Sequence, residues 1–233
     1  MLFQRKLAPI AAFGALALTA TPAMADAITL DSSKVGQSYT FNFNGFSDGT
    51  VIDGLSALAT FTLTAVTGTS YSFDYSLTNS TSSPLTSRVS SFGFNTNPDI
   101  SGATSTGAFS YTTLNSTYPN GIGAIDVCFK DASTGSCAGG GSGGLLAGQT
   151  GTGSFTLNFS SPLSSLTLSD FYDRYQSITG AGNITSASGS GTQSSSSGGT
   201  PVPEPGMAGL LGLALIGVAM MRRRRPQFAA AAA

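Results

Sequence analysis

Residues 57–78 read ALATFTLTAVTGTSYSFDYSLT, and this stretch decides the fold class. On both sides of Val66–Thr69, apolar side chains alternate at a period of two with polar ones, mostly threonine and serine. Such alternation predicts strands with one buried face, and a short connection that contains glycine predicts a hairpin. We therefore expect Ala57–Val66 and Thr69–Thr78 to pair antiparallel, with Phe61 and Phe73 facing a core.

Segments of the same character recur along the chain, each bounded by clusters of Gly, Pro, Asn or Ser. Turn signals roughly every ten residues, without a helical period, indicate an all-β fold: an antiparallel β-sandwich or jelly roll over residues 26–187. Asp170–Ile178 fits either a helical turn or a final strand. The other predicted strands are Tyr39–Phe43, Arg88–Phe94, Gly107–Thr113, Ile122–Lys130, Gly153–Ser160 and Leu163–Ser169.

The composition of residues 26–200 excludes several classes of function. They contain ten Asp, no Glu and four basic residues, so their net charge of −6 disfavours contact with a nucleic acid backbone. The chain has no histidine, which removes the Ser-His-Asp and Cys-His catalytic arrangements and the commonest metal ligand. We expect no enzyme activity and no cofactor.

Two cysteines, Cys128 and Cys137, predict one disulfide if the protein is exported, because an even count in that setting indicates pairing. A reactive thiol pair is the alternative, although the spacing differs from a C-x-x-C motif.

Gly139–Gly144 predicts a flexible or tightly turned loop. The Ser/Gly tract Ser186–Thr200 predicts a disordered tether, with residues 188–200 as a linker, because it offers little apolar area to bury.

A few side chains are candidates for ligand binding. Asp170 and Asp173, with Arg174 beside them, could hold calcium or clamp a sugar, or could form a structural ion pair. Asp126 and Asp131 flank the cysteine loop without the spacing of a known calcium loop. The row Thr60, Thr62 and Thr64 could contact sugar or ice, or could simply cover a strand. The tyrosines that could stack on carbohydrate or fill the core are Tyr39, Tyr71, Tyr75, Tyr111, Tyr118, Tyr172 and Tyr175.

The N-terminus has the layout of a secretory signal peptide over residues 1–25. A basic start at Arg5 and Lys6 precedes an apolar stretch, and Ala23 and Ala25 are the small residues that signal peptidase prefers. Cleavage after Ala25 would leave Asp26 first. We expect the Sec machinery and signal peptidase as partners.

The C-terminus has three parts in a fixed order. Val202, Pro203, Glu204 and Pro205 precede the uncharged apolar run Met207–Met221, and Arg222, Arg223, Arg224 and Arg225 follow it. At 1.5 Å per residue the run spans about 22 Å as a helix, which is short for a membrane crossing. The prolines prevent the helix from extending backwards, and the arginines place the C-terminus in the cytoplasm.

This tail resembles that of the PEP-CTERM proteins, which are exported by Gram-negative bacteria. The resemblance covers residues 201–226 and leaves residues 227–233 as a disordered tail. It implies recognition by exosortase, a membrane-embedded enzyme similar to cysteine transpeptidases, and cleavage near Pro203-Glu204-Pro205. The protein would be anchored in the inner membrane before processing and would then reach the cell surface or the extracellular space.

The interior resembles the cistern-type subgroup of these proteins in three blocks: Arg88–Pro98, Ile125–Lys130 with Cys137–Gly141, and Leu168–Ile178. That resemblance implies kinship and no assigned activity. We expect an exported surface or extracellular-matrix protein associated with exopolysaccharide or biofilm. A carbohydrate-binding sandwich module is one alternative, and a carboxylate-dependent hydrolase is another.

Overall fold

Twelve strands and two single-turn 3-10 helices make up residues 26–134 and 136–197, the part of the chain that this computed structural model describes. The helices span Ser32–Lys34 and Gly107–Phe109. The strands are β1 Ile28–Leu30, β2 Ser38–Ser47, β3 Thr50–Val66, β4 Ser70–Asn79, β5 Thr86–Asn97, β6 Gly102–Ser105, β7 Tyr111–Tyr118, β8 Gly123–Lys130, β9 Leu145–Leu146, β10 Thr150–Asn158, β11 Leu166–Thr179 and β12 Ser186–Ser196.

All strand pairs are antiparallel, and they form one sheet with the order β6-β10-β4-β3-β2-β12-β11-β5-β8-β7. β1 pairs with β11, and β9 pairs with β5. The sheet curls until its two terminal strands meet, where Thr112 Oγ1 donates to Ala103 O at 3.3 Å. The predicted antiparallel all-β class is confirmed. The two layers of a sandwich are here two sides of one continuous, nearly closed sheet.

Phenylalanine side chains fill the space inside the curled sheet. Phe61 on β3 lies at the centre, with its ring centroid 5.5 Å from that of Phe92 and 5.9 Å from that of Phe171. Phe129 on β8 contacts Phe155 on β10 at 4.6 Å, although their strands lie far apart in the sheet order. Each such aromatic pair contributes about 0.5–1.5 kcal/mol beyond the burial of its area. The core therefore ties the two halves of the sheet together.

The predicted hairpin forms as β3 and β4. Phe61 lies opposite Tyr75 and Leu63 opposite Phe73, and the turn closes where Thr67 N donates to Ser70 O at 2.8 Å. The apolar side chains of both strands face the core, as their period of two requires. Asp170–Ile178 belongs to β11, so the strand alternative is correct there.

The prediction of a disordered tether over Ser186–Thr200 is wrong for most of its length. β12 lies inside the sheet and pairs with β11 on one edge and β2 on the other. Its small residues suit that slot, because a Cβ at Gly189 would lie 2.1 Å from Asp173 Oδ1 and one at Gly191 would lie 2.9 Å from Phe43 Cε1. Residues 186–190 of the strand pair with β11 and residues 188–196 pair with β2, so the backbone is bonded along its whole length, while neighbouring strands supply the apolar area above it.

The predicted strand Gly107–Thr113 begins with a 3-10 turn, and the strand there runs from Tyr111 to Tyr118. Within residues 26–134 and 136–197, no helix combines the length and apolar character that a membrane crossing requires. The predicted signal peptide, residues 198–200 of the linker, the sorting tail and residues 227–233 lie outside the described residues.

Candidate functional site: the outer surface, the cysteine loop and the chain ends

The outer surface of β2, β3, β4 and β10 is a field of hydroxyl groups, which we call the hydroxyl face. Directly opposed side chains bond across the strands: Thr40 Oγ1 to Thr60 Oγ1 at 3.0 Å and Ser38 Oγ to Thr62 Oγ1 at 2.7 Å. Other members are Thr64, Ser72, Ser76, Thr78, Thr150, Thr152, Ser154 and Thr156. Asp74 and Leu58 interrupt the field with a charge and an exposed apolar side chain. The cross-strand bonds orient hydroxyls that still have capacity to donate or accept.

The candidate tyrosine platform does not form. Tyr39, Tyr71, Tyr75, Tyr118 and Tyr175 are buried, and Tyr172 is half-buried against Tyr118 at a centroid distance of 5.8 Å. Tyr111 alone among the seven is exposed, at 45%. Burial raises the pKa of the Tyr118 and Tyr175 hydroxyls well above the ordinary value for tyrosine. A stacking contact with sugar would therefore depend on Tyr111.

The disulfide forms between Cys128 and Cys137, whose Cα atoms are 5.6 Å apart. Both residues are fully buried beneath Tyr118 and Ile125 in a small second cluster on the outer side of the sheet. Ser91 Oγ donates to Cys137 O, and Ser90 Oγ donates to Ala138 O at 2.7 Å. The C-terminal end of the disulfide loop is therefore bonded to β5.

Arg88 and Asp131 hold the glycine-rich stretch that follows this loop. Arg88 Nη1 lies 3.1 Å from Asp131 Oδ2 and donates to Gly143 O at 2.9 Å, and its Nη2 donates to Gln176 Oε1 at 2.6 Å. Asp131 Oδ1 accepts from Gly140 N at 2.6 Å. The ion pair is almost completely buried, with 5% and 2% of the two side chains exposed. Gly139–Gly144 is therefore a tightly turned loop.

Close approach explains the glycines of that loop. At Gly144, where φ is +72°, a Cβ would lie 2.2 Å from Val89 O, and at Gly139, where φ is +76°, one would lie 2.5 Å from Ser90 O. Only glycine combines this left-handed backbone with contact against another strand's carbonyl. The loop is part of the packed body, and it is not a phosphate-binding loop because its backbone is held against β5.

Asp173 and Arg174, for which a structural ion pair was one of the alternatives, lie on opposite faces of β11. Consecutive strand residues point to opposite faces, so the Asp173 carboxylate lies above Gly189 while Arg174 Nη1 donates to Ser188 Oγ at 3.5 Å. Asp173 is completely buried, and neither of its oxygens has a hydrogen-bond partner. Burial raises the pKa of Asp173 to about 8.

The carboxylates that sequence reasoning grouped have separate structural roles. Asp170 Oδ2 accepts from Asn95 Nδ2 at 3.0 Å at a bulge of β11, away from the interior position of Asp173. Asp126 Oδ2 accepts from Thr96 N at 2.7 Å. In the described part of the chain no group of three or more His, Cys, Asp or Glu side chains is placed to hold a metal ion. Asp170 and Asp173 therefore have different surroundings, Asp170 beside Asn95 and Asp173 buried in the interior.

The burial of the charged side chains of Arg88 and Lys130 was not predicted from the sequence. Lys130 is 1% exposed, and its Nζ donates to Thr113 Oγ1 at 2.5 Å and to the carbonyl of Thr134. Burial lowers the pKa of Lys130. A signal existed in hindsight: basic residues are scarce, and Arg88 and Lys130 are the first and the last residue of two predicted strands.

The two ends of the described chain lie along the same part of the sheet, near the end of β12. Asp26, which the predicted signal-peptide cleavage would make the first residue, accepts through Oδ2 from Gln193 N on β12. At the last described residue, Ser197 N donates to Ser38 O at 2.9 Å and its hydroxyl accepts from Ser38 N at 3.0 Å. The chain therefore leaves the sheet at the beginning of β2, a few residues before the proline motif.

Comparison with known proteins gives one positive finding. Neither the curated proteins nor the solved structures yield a match to this chain. A family model described as the PEP-CTERM protein-sorting motif matches residues 201–225, which include the proline motif, the apolar run and the arginines. The motif implies an exported protein that exosortase processes, while no finding tests the cistern-type subgroup. The chain is thus a protein that carries the PEP-CTERM sorting motif.

Proposed function

We propose that the folded body is a non-catalytic component of the cell surface or extracellular matrix that associates with exopolysaccharide. The sorting motif at residues 201–225 carries this proposal, because it directs the body to the surface of a Gram-negative cell, where secreted polysaccharide is present. Before cleavage, the apolar run Met207–Met221 anchors the precursor in the inner membrane, with Arg222–Arg225 on the cytoplasmic side.

The hydroxyl face supports the association with polysaccharide. It is broad, nearly uncharged and composed of donors and acceptors that Thr40–Thr60 and Ser38–Thr62 bonds hold in register. Neutral sugars offer the same hydroxyl chemistry, so many weak hydrogen bonds can form without a charged partner. Strands about 4.8 Å apart repeat these groups regularly, which suits a long repetitive polymer better than one small ligand.

The lack of catalysis is supported by how the charged side chains are used. Asp131 is paired with Arg88, Asp126 accepts from the Thr96 backbone, and Asp170 accepts from Asn95. A glycosidase needs two carboxyl groups that face one substrate across a cleft. These carboxylates instead serve the packing of separate strands.

Processing is tested by changing Pro203, Glu204 and Pro205 together to alanine. We expect a full-length, membrane-retained precursor, because the recognition segment is gone while the apolar run remains. Membrane fractionation and the size of the released protein provide the measurement. Release of the alanine variant as efficiently as the parent would contradict processing at this motif.

Association with polysaccharide is tested with the released body and the exopolysaccharide of the producing cell. Changing Thr40, Thr60 and Thr62 to valine removes hydroxyls at nearly constant volume, and we expect several-fold weaker co-sedimentation. The matched serine variants keep the hydroxyls and should bind like the parent. If the valine variants bound polysaccharide as strongly as the parent, the hydroxyl face would not be the binding surface.

A carbohydrate-binding module that recognises a defined sugar is the second candidate, and the exposure of Tyr111 favours it. The ring is 45% exposed at the first residue of β7, where a sugar could stack on it. A Tyr111→Ala variant should then lose binding to the recognised glycan on an array, while Tyr111→Phe should keep it. If both variants bind like the parent, this candidate fails.

A further inference from the structure

The position of β12 brings the sorting motif close to the folded body. β12 lies between β2 and β11, and Ser197 is fixed to Ser38 by two hydrogen bonds of 2.9 and 3.0 Å. Only residues 198–202 separate Ser197 from Pro203. Six Cα–Cα steps span at most about 20 Å in full extension. Whatever binds Pro203-Glu204-Pro205 must therefore lie within about 20 Å of Ser197.

Three connections surround Ser197, and we call this end of the body the terminus pole. It consists of Asp31–Gln37, the β3–β4 turn Val66–Ser70 and the β10–β11 connection Phe159–Leu163. Backbone hydrogen bonds connect them through the sheet. Gly36 N to Leu63 O at 2.7 Å and Leu63 N to Gln37 O at 3.0 Å join Asp31–Gln37 to β3, and Leu163 N to Gly68 O at 2.9 Å joins the β10–β11 connection to the β3–β4 turn. The terminus pole is therefore a connected surface that moves with the sheet.

The chemistry of the terminus pole suits a polar protein surface. Its exposed residues include Ser32, Ser33, Thr67, Gly68 and Ser161, and Val35 adds an apolar side chain that is 45% exposed. The Asp31 carboxylate accepts from Ser33 N at 2.7 Å and from Ser33 Oγ, which lowers the pKa of Asp31. Small uncharged side chains cost little to desolvate or to order when another protein covers them.

We propose that the terminus pole is an interaction surface for the membrane-embedded processing enzyme. Because the spacer permits at most about 20 Å between Ser197 and Pro203, an enzyme that holds the proline motif lies closer to this end of the body than to any other part of it. The proposal rests on exosortase processing of the motif and adds that the enzyme contacts the folded body. Cleavage on the C-terminal side of Ser197 leaves β12 in the sheet and the released fold complete.

The test is site-specific photo-crosslinking in the producing cell with the full-length chain. A photoreactive residue replaces Ser161 on the terminus pole or, as the matched control, Asn183 in the exposed turn that precedes β12. The eleven residues of β12 separate these ends by roughly 33 Å. An exosortase whose catalytic cysteine is replaced by alanine keeps the precursor uncleaved and bound.

We expect an adduct between the enzyme and the Ser161 position, and at least several-fold less from Asn183. Inserting twenty Gly/Ser residues after Thr200 should weaken the Ser161 adduct while cleavage by active enzyme continues. Equal adducts from both positions, adducts only with lipid, or no adduct from Ser161 despite normal cleavage would overturn the proposal. Cleavage that is independent of Pro203-Glu204-Pro205 would instead contradict processing itself, so the two failures differ.

Discussion

At the scale of single residues, Asp173 is a source of instability at neutral pH. Its carboxyl group is completely buried above Gly189, and Arg174 is directed to the other face of the sheet. Burial disfavours the charged form and raises the pKa to about 8 from an ordinary 3.8. The folded protein therefore holds a proton that the unfolded chain releases above pH 4.

The pH dependence follows from this difference. Stability from the protonated carboxyl is fully present below about pH 4 and is lost as the pH rises through about 8, at up to about 1.4 kcal/mol per pH unit. An Asp173→Asn variant lacks this titration. We expect its free energy of unfolding, relative to the parent, to increase by a few kcal/mol between pH 5 and pH 8. Urea unfolding at several pH values measures this, and a difference that stays constant with pH would contradict the assignment.

Arg88 is the opposite case, a buried charge with many partners. Its guanidinium bonds Asp131, Gly143 O and Gln176, so it connects β5, β11 and the glycine-rich loop. An Arg88→Met variant leaves the Asp131 carboxylate buried without its cation. We expect a loss of about 3–5 kcal/mol in the free energy of unfolding. Adding Asp131→Asn should recover part of this loss, whereas Lys34→Met, at the surface, should change stability by less than about 0.5 kcal/mol.

At the scale of elements, β12 decides whether the sheet is continuous. Without it, β2 and β11 would each have an unpaired edge in the middle of the sheet. Exposed edges of this kind promote aggregation. β12, the last strand of the described residues, thus completes the sheet, and we expect the body to finish folding only when residues up to Ser196 are available.

Truncation tests this role. A body that ends at Ala187 lacks most of β12, and we expect it to be unfolded or aggregated, whereas a body that ends at Thr200 should melt cooperatively. Deleting residues 198–200 from the longer body should leave its melting temperature nearly unchanged. If the shorter body melted like the longer one, residues 188–197 would behave as the linker that their composition suggests.

The disulfide stabilises the loop that follows β8. It closes a loop with a sequence separation of 9 residues. Loop-closure entropy predicts a loss of roughly 2.5–3 kcal/mol when Cys128 and Cys137 are both changed to serine. Chemical denaturation measures the loss, and Ser133→Ala within the loop serves as the control. Because Ser90 and Ser91 also hold this loop, we expect the variant to remain folded.

At the scale of the whole molecule, both ends of the described chain lie along the second half of β12 and the residue that follows it. Asp26 contacts β12, and Ser197 is bonded to Ser38 at the beginning of β2. A precursor that still carried an N-terminal leader and the C-terminal apolar run would be held at the membrane by one end of the body. The rest of the sheet, including most of the hydroxyl face, would point away from it.

The mass of the released protein tests this arrangement. We expect it to begin at Asp26, to end after Ser197 and before Met207, and to be lighter than its reduced form by two hydrogen atoms. Intact mass spectrometry before and after reduction measures all three. A C-terminus within β12 would contradict the claim that processing leaves the sheet complete.

The local sequence pattern determined the first hairpin, the sorting tail and the disulfide of this protein. The period of two in residues 57–78 specified both strands, their buried faces and their hairpin, because neighbouring residues along the chain settle these features. The tail at residues 201–225 is likewise a linear signal that an enzyme reads from the sequence. The same applies to the disulfide, whose two cysteines lie close together in the chain.

Tertiary structure decided the rest. Ser/Gly-rich residues 186–196 form a central strand because β2, β11 and the side chains above them leave a slot that only small residues fit. Arg88 pairs with Asp131 because the strands and the cysteine loop bring together residues that are 43 positions apart. Asp173 and Arg174 separate because a strand directs consecutive side chains to opposite faces. Composition describes what a segment contains, whereas burial and pairing depend on the neighbours that folding supplies.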